Sequence, residues 1–412
     1  MTNLEYLDAK SKSTSNKNLE RLSDFFSMED LDRLSKRSVA IVGTNGKTAT
    51  ATGLFRLLCS QNVKTCLFTS PHLINVYERI SNNEGQITEQ EMSRYLNEVI
   101  QYEKQNKLVL GFFETLFLIA SQLFLDTKAD FFVVEAGIGG RLDTTSIINS
   151  EIVALTNIGH DHTEILGESL EEILLEKIKV SKKMKDLLVG EVAAHVDFAS
   201  LIEKEMKLNN TNYHYRYSDR KKPSISRQDR NFEMLNAFLA IDLMFLLFDK
   251  FPTVFKTKYK RERTLSVEDA WRLTKDGVPG RFEVIDQKVN KILDGAHNLS
   301  GLNVFLDLLE SEFTNLNNNY NLPDFECYLG FKNGKNFIHM IDALVSRKWL
   351  LVKLIHEGTF FDQMKTEQIK DYLNEIKTEV HYASLKDFHL SKKPSILLGS
   401  LYLVGKYKKE FQ

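Results

Sequence analysis

Short β-rich runs alternate with longer helical patterns along this chain. That alternation predicts an α/β protein with a mostly parallel sheet covered on both faces, followed by a second, smaller α/β domain. Two further observations support the prediction. Glycine-containing turns follow several of the apolar runs directly, and the alternation stalls at two polar stretches before it restarts. Ser38 to Gly43 reads as a strand and Lys47 to Ser60 as a helix, then Val63 to Ser70 as a strand. Thr88 to Gln105 and Phe112 to Asp126 read as helices. In Asp130 to Ala136 and Glu151 to Ile158, β-branched and aromatic residues run almost without interruption, as in strands buried on both faces. Asn231 to Asp249 is a long apolar helix. The stalls fall at Arg216 to Arg230 and at Lys256 to Pro279. The second is expected to be the domain boundary, giving domains 1–279 and 280–412. Beyond it the pattern resumes at Lys291 to Leu293, Asn298 to Glu312, Glu326 to Gly330, Trp349 to Ile355, Thr366 to Ile376 and Ser395 to Gly399. Asn315 to Asn321 is an expected surface loop, and no repeat of solenoid period is present.

Composition narrows the function. The chain has 412 residues, enough for two or three domains, and 42% are hydrophobic, which excludes a disordered protein. Lys+Arg total 54 against 56 Asp+Glu, so no basic excess points to nucleic acid. Three cysteines, Cys59, Cys66 and Cys327, are too few and too scattered for a disulfide framework or a zinc site. The first twenty residues hold no apolar signal core, so export is not expected. Lys107 to Asp126 has 18 residues between its flanking charges, the length of a membrane span. Glu114 inside it makes a buried helix of a globular domain the better reading.

Five clusters can carry chemistry. Gly43-Thr44-Asn45-Gly46-Lys47-Thr48 leaves a strand and enters a helix, where glycines let backbone N–H groups face phosphate oxygens and the helix N-terminus adds positive potential. The usual GxxxxGK[ST] spacing would need glycine at Ile41, so this is a shortened phosphate loop. Lys47 would reach the β- and γ-phosphates and the Thr48 hydroxyl would lie near a metal; the competing reading is a strand–helix turn with a surface lysine. Thr69-Ser70-Pro71-His72 follows the next strand, and Ser70 is a candidate hard oxygen ligand or a simple helix cap. Glu135, at a strand end before Gly137, Gly139 and Gly140, suits a Mg²⁺ ligand, with Arg141 and Asp143 as substrate contacts or as a surface pair. His160-Asp161-His162 suggests zinc, but nothing completes a tetrahedral site, so an oxygen-rich Mg²⁺ site with one His fits better, and a plain polar strand–helix loop fits these residues equally. Arg281 in Pro279 to Glu283 suits a phosphate, and Asp294 a ribose; either is equally a structural ion-pair partner.

Taken together and in this order, the motifs resemble the folylpolyglutamate synthase/dihydrofolate synthase family, a branch of the Mur ligase superfamily. GTNGK, FTSPHL, ERI, GIGGRLD, DHTEILG, PGRFE, DGAHN and GSLYLVG occur in family order from about Val39 to Gly405. The resemblance implies a Mur-ligase-like P-loop ATPase domain and a smaller Rossmann-like C-terminal domain. It implies an ATP-dependent ligase that phosphorylates a folate or dihydropteroate carboxylate, then transfers the acyl group to L-glutamate. It also implies roles for individual residues. Gly43, Thr44, Asn45, Gly46, Lys47 and Thr48 would hold the ATP phosphates, and Asn236, Arg281 and Asp294 would bind ATP from the domain cleft. Ser70, Glu135 and His162 would bind Mg²⁺, joined by Lys177 as the family's carbamylated lysine. Phe113, Glu114, Leu142, Asp143 and Thr144 would face the pterin substrate. Lys47, Lys177, His162 and Arg281 form the expected catalytic set. A cytoplasmic monomer, with no membrane or nucleic-acid partner, is expected.

The chain departs from the family pattern in several places. Thr48 stands where the family has glycine, as in the peptidoglycan-building Mur branch, and Thr144-Thr145-Ser146 replaces Ala-Thr-Asn. Ile178-Lys179 replaces Ala-Gly, and Leu299 replaces proline. In the second domain, Gly334-Lys335-Asn336 and His356 to Thr359 differ from the family's segments. Two other readings therefore stand beside the first: a Mur-type ligase of cell-wall precursors, and a paralogue that binds nucleotide or folate without catalysis.

Overall fold

The computed structural model describes residues 3–11, 19–190, 196–214, 232–256, 272–274, 277–316, 324–331, 338–347, 349–355, 371–372, 374–375 and 381–412. The polar stretch 216–230, most of the 366–376 helix and of the Asn-rich loop, the segment 334–336 and His356 to Thr359 lie outside those residues. The chain divides into two compact units, Met1–Asp276 and Gly277–Gln412.

The first unit opens with α1 (Asn3–Ser11), α2 (Leu19–Ser23) and α3 (Met28–Arg37), followed by β1 (Ser38–Val42), α4 (Lys47–Ser60) and β2 (Thr65–Phe68). A 3-10 turn, Val76–Arg79, leads into β3 (Ile80–Asn82) and β4 (Gly85–Gln86). Next come α5 (Glu89–Asn106), α6 (Phe112–Asp126) and β5 (Phe131–Glu135), then a second 3-10 turn, Thr144–Ile148, and β6 (Ile152–Leu155). The unit continues through α7 (Thr163–Leu166), α8 (Leu170–Ile178), β7 (Asp186–Val189), α9 (Val196–Leu208), β8 (Asn212–His214), α10 (Phe232–Lys250) and α11 (Pro252–Lys256).

Its sheet has the order β4-β3-β2-β5-β1-β6-β7-β8. Only β3 and β4 run antiparallel to their neighbours; the others are parallel. The uninterrupted apolar strands have the cause expected of them, because each buries both faces. Val39 and Ile41 pack with α4 and α10, while Ala40 and Val42 pack with α8 and α9. Phe131 and Val133 join the α4–α10 core, and Phe132 and Val134 the α5–α6 core. Helix α5 buries Met92, Tyr95, Leu96 and Val99, the i, i+3, i+4, i+7 stripe of an amphipathic helix. Helix α6 is buried nearly all round, and Glu114 inside it accepts the Gly111 N–H at 2.6 Å, closing the first turn. Among the described residues, no helix is long and apolar enough to cross a membrane.

The second unit contains β9 (Glu283–Asp286), β10 (Lys291–Leu293), α12 (Leu299–Leu316), β11 (Phe325–Leu329), α13 (Ile338–Val345) and β12 (Leu350–Ile355). It ends with β13 (His381–Ala383), α14 (Leu385–Leu390), β14 (Ser395–Leu398) and α15 (Leu401–Phe411). Its sheet order is β13-β12-β11-β14-β10-β9, with only β9 antiparallel. Ile292, Phe325, Cys327 and Leu329 meet Leu302, Phe305, Leu309, Met340 and Ile341 in a core of its own. The short strands β3, β4, β7, β8, β9 and β13 lie outside the strands expected from sequence, since two to four residues seldom carry enough pattern to stand out.

Candidate active site

The site lies at the carboxyl ends of β1, β2, β5 and β6, where the chain crosses from one side of the sheet to the other. In open α/β sheets this is the ligand-binding edge. The loop after β1 depends on its two glycines. Gly43 has φ +147° and Gly46 φ +82°; a methyl group on Gly43 would stand 1.9 Å from Oγ1 of Thr156, and one on Gly46 2.2 Å from Oδ1 of Asn236. Residues just past β6 hold the loop. Asn157 accepts the Thr44 N–H on its carbonyl at 3.0 Å and the Asn45 N–H on Oδ1 at 2.7 Å. The Thr156 hydroxyl donates to the Asn45 carbonyl at 2.6 Å, and the Thr44 hydroxyl to the Gly159 carbonyl at 3.0 Å. Sequence reasoning passed over Thr156 and Asn157, although two polar residues closing an apolar strand were a usable signal. Lys47 curls over the loop, its Nζ donating to the carbonyls of Gly43 and Thr44 at 2.9 and 3.1 Å.

Glu135, 2% exposed at the end of β5, joins three segments. Its Oε1 accepts the Thr48 hydroxyl at 2.8 Å and its Oε2 the Ser70 N–H at 2.9 Å. Glu135 thus sets one buried carboxylate between the Thr48 hydroxyl and the Ser70 backbone, hard oxygen chemistry, while among the described residues no group of three or more His, Cys, Asp or Glu side chains is gathered closely enough to hold a metal by itself. Oxygen donors of this kind suit Mg²⁺ or Mn²⁺. The thiols of Cys59, Cys66 and Cys327 are pushed up to about 12, by burial above all, and are not thiolates. His162 has a left-handed backbone, φ +52°, and its ring nitrogens stand 3.6 Å from Glu164 and 3.9 Å from Asp161. The Ser70 loop is braced from behind. Glu78 accepts the N–H groups of Leu73, Ile74 and Asn75, and Arg79 donates to Nδ1 of His72 at 2.9 Å. Burial, reinforced by Arg79, lowers His72 to about 4, so it stays neutral and accepts that bond.

In the Gly137–Asp143 loop, both oxygens of Asp143 accept hydrogen bonds from neighbouring residues. Oδ2 accepts the N–H groups of Ile138 and Gly139 at 2.9 and 2.8 Å, and Oδ1 accepts the Thr145 N–H and hydroxyl at 3.0 and 2.8 Å. Glu114 likewise spends an oxygen on its helix start, and both carboxylates are buried. These bonds brace the loop and the helix end. Phe113 packs beside Gly137, where an added methyl would be 3.1 Å from its ring. Thr144 is buried at the head of its 3-10 turn, whereas Leu142 is 55% exposed. Lys177 is not the surface lysine that its neighbours Glu172 and Glu176 suggest. It is 2% exposed and donates to the Ile138 carbonyl at 2.8 Å. Burial, followed by repulsion from Lys47, lowers its amine to about 7.

In the second unit, Asp294 accepts the Phe282 N–H at 2.7 Å and the Ala296 N–H at 2.6 Å. Burial raises its carboxyl above the ordinary range, against the pull of Arg281. The Gly280–Glu283 turn is closed by the Gly280 N–H on Glu283 Oε2 at 2.7 Å.

The fold and this site define an ATP-dependent ligase of the Mur type. Residues 41–244 match the Mur ligase middle domain. The chain is 31% identical over 305 residues to the dihydrofolate synthase/folylpolyglutamate synthase of Buchnera aphidicola subsp. Schizaphis graminum, covering 73% of this chain and 70% of that one. With the protein of the same name from Buchnera aphidicola subsp. Acyrthosiphon pisum, identity is 29% over 384 residues, 89% and 87% of the two chains. A crystal structure of the bifunctional folylpolyglutamate synthase/dihydrofolate synthase of Yersinia pestis, complexed with AMPPNP and Mn ion, shares the fold. Its TM-score is 0.76 at 23% identity, over 100% of this chain and 98% of that one. The chain belongs to the dihydrofolate synthase/folylpolyglutamate synthase family.

Proposed function

We propose that this chain joins L-glutamate to the free carboxylate of a dihydropteroate or folate at the expense of ATP. The observation that carries the reading is the Glu135 junction, in which one buried carboxylate ties the phosphate-loop Thr48 to the Ser70 loop. The γ-phosphoryl group passes to a carboxylate oxygen as its bond to ADP breaks. The glutamate amine then attacks the acyl carbon, phosphate leaves, and the amine's proton is lost to solvent or to a nearby base. The loop N–H groups and Lys47 bind and orient the phosphates, with Asn236 alongside. In the second unit, the Arg281 guanidinium and the Asp294 carboxyl have chemistry suited to a phosphate and to a ribose. A divalent cation bound by Glu135, Ser70, His162 and the Thr48 hydroxyl would neutralise phosphate charge as two anions approach.

Lys177, whose amine is lowered to about 7 by burial and so is partly uncharged at neutral pH, is the group that would add CO₂ to give a carbamate, turning a cation into an anion with two hard oxygens. Phe113, Glu114, Leu142, Asp143 and Thr144 line the pterin side, Glu114 and Asp143 also bracing their own segments. The protein acts as a cytoplasmic monomer without nucleic-acid or membrane partners. ADP release measured with L-glutamate and, in turn, dihydropteroate, tetrahydrofolate and a UDP-muramoyl peptide tests the reading. Turnover with either pterin is expected. Turnover with the muramoyl peptide alone, the outcome that Thr48 favours, would overturn the substrate, and none with any of the three would make the chain a binding protein.

A further inference from the structure

We infer that Lys10 and Glu103 are positioning residues for the pterin substrate, acting through the turn that launches α6. The inference rests on the proposed placement of that substrate against the start of α6. The two side chains form an ion pair of 2.6 Å at 7% and 8% exposure, joining α1 to the last turn of α5. The pair fixes one residue of the turn at both of its polar groups. The Leu110 N–H donates to Glu103 Oε1 at 2.7 Å, and Lys10 Nζ donates to the Leu110 carbonyl at 2.8 Å. Tyr6 completes the set, its hydroxyl donating to Glu103 Oε2 at 2.7 Å.

The next residue, Gly111, caps α6, and Phe112, Phe113 and Glu114 follow at once. Phe112 lies under the Arg79 guanidinium at 5.1 Å, and Phe113 beside Gly137. Displacing Leu110 therefore displaces residues that touch two other loops of the site. Apolar packing alone would hold α1 down through Leu7, which is 1% exposed, without fixing the turn. Two buried charges need mutual pairing and further hydrogen bonds, so only one arrangement of α1, α5 and the turn satisfies them, and it sets the angle at which α6 begins. The same N-terminal region supports the other side of the substrate face, since α2, with Leu22 buried, packs on the 3-10 turn that begins at Thr144.

Steady-state kinetics on the full chain test this, with KM measured separately for the pterin acid, ATP and L-glutamate. The variants are Lys10→Met, Glu103→Gln and the double Lys10→Met with Glu103→Leu. The double variant removes both charges and keeps the volume, so it decides the matter if a single variant fails to fold. The expected result is a rise of about ten-fold or more in KM for the pterin acid, the scale on which a displaced positioning segment acts. KM for ATP is expected to stay within about two-fold, since the phosphate loop is held from β6. An unchanged pterin KM in the folded double variant, or equal rises in all three KM values, would reduce α1 to a stabilising strap and overturn the inference. A wild-type chain that ligates glutamate to neither pterin would instead overturn the function reading, and this inference with it.

Discussion

Lys47 and Lys177 are two cations of opposite fate at one site. Lys47 folds over its own loop carbonyls, half-buried, so truncating it leaves no core cavity. Lys47→Ala is expected to unfold at the wild-type temperature while losing roughly 10²-fold or more in ATP turnover, the scale of one electrostatic contact in a transition state. Near-wild-type ligation by that variant would remove the phosphate-loop assignment. Lys177 is nearly enclosed, and Ile178 beside it is 2% exposed, so the amine meets little water. Its pKa of about 7 sets a sign. Above about pH 7 the amine is free to take up CO₂, and below it a proton blocks the addition. Activity is expected to fall as pH drops through 7, and to fall at pH 8 when bicarbonate and CO₂ are stripped. Lys177→Ala should lose ligation and regain part of it with added short carboxylates. Undiminished activity in that variant would end the carbamate proposal.

Two junctions between elements give sharper tests than any single side chain. The β1–loop–α4 connection requires a left-handed Gly46 against Asn236 of α10. Gly46→Ala brings both backbone strain and a clash, so it is expected to cost about 1–3 kcal/mol of stability and to weaken binding of an ATP analogue by calorimetry. Unaltered affinity would mean that the loop tolerates another conformation. At the far edge of the sheet, Asp186 of β7 accepts from His214 of β8 at 3.1 Å and is paired with Lys250 of α10. Burial would raise its carboxyl, but the bonds from His214 and Lys250 outweigh that and hold it below the ordinary range. A lowered folded pKa stabilises above the unfolded carboxyl value of about 3.9, and the contribution disappears as pH falls through the folded value. Asp186→Asn should therefore lose about 1–3 kcal/mol at pH 7 in urea unfolding, with the deficit closing towards pH 3. A deficit independent of pH would show that packing, and not charge, is at work.

Over the whole chain, each unit has its own sheet and its own core, the condition for separate cooperative unfolding. Scanning calorimetry is expected to resolve two transitions, with Asp186→Asn lowering only the first unit's. A single transition shifted as a whole would show that the units unfold together.

The architecture was legible in the sequence because its signals are local. Buried parallel strands must be apolar on both faces, and a chain leaving such a strand for a helix around phosphate needs glycines, so β1, α4, β5 and α6 are readable from consecutive residues. The candidates at Gly43–Thr48, Ser70, Glu135 and Asp294 follow for the same reason, each standing at or just after the end of a strand. The duties of those residues depend on partners far away in the chain. Thr156 and Asn157 hold a loop more than a hundred residues earlier, and Lys10 secures a turn near residue 110. Lys177 shows the contrast most clearly. Its neighbours in sequence describe a solvated helix face, and its pKa comes from burial against a glycine loop folded over it. Composition and periodicity report on a residue's immediate neighbours, whereas desolvation and hydrogen-bond partnership are set by segments that meet only when the sheet closes.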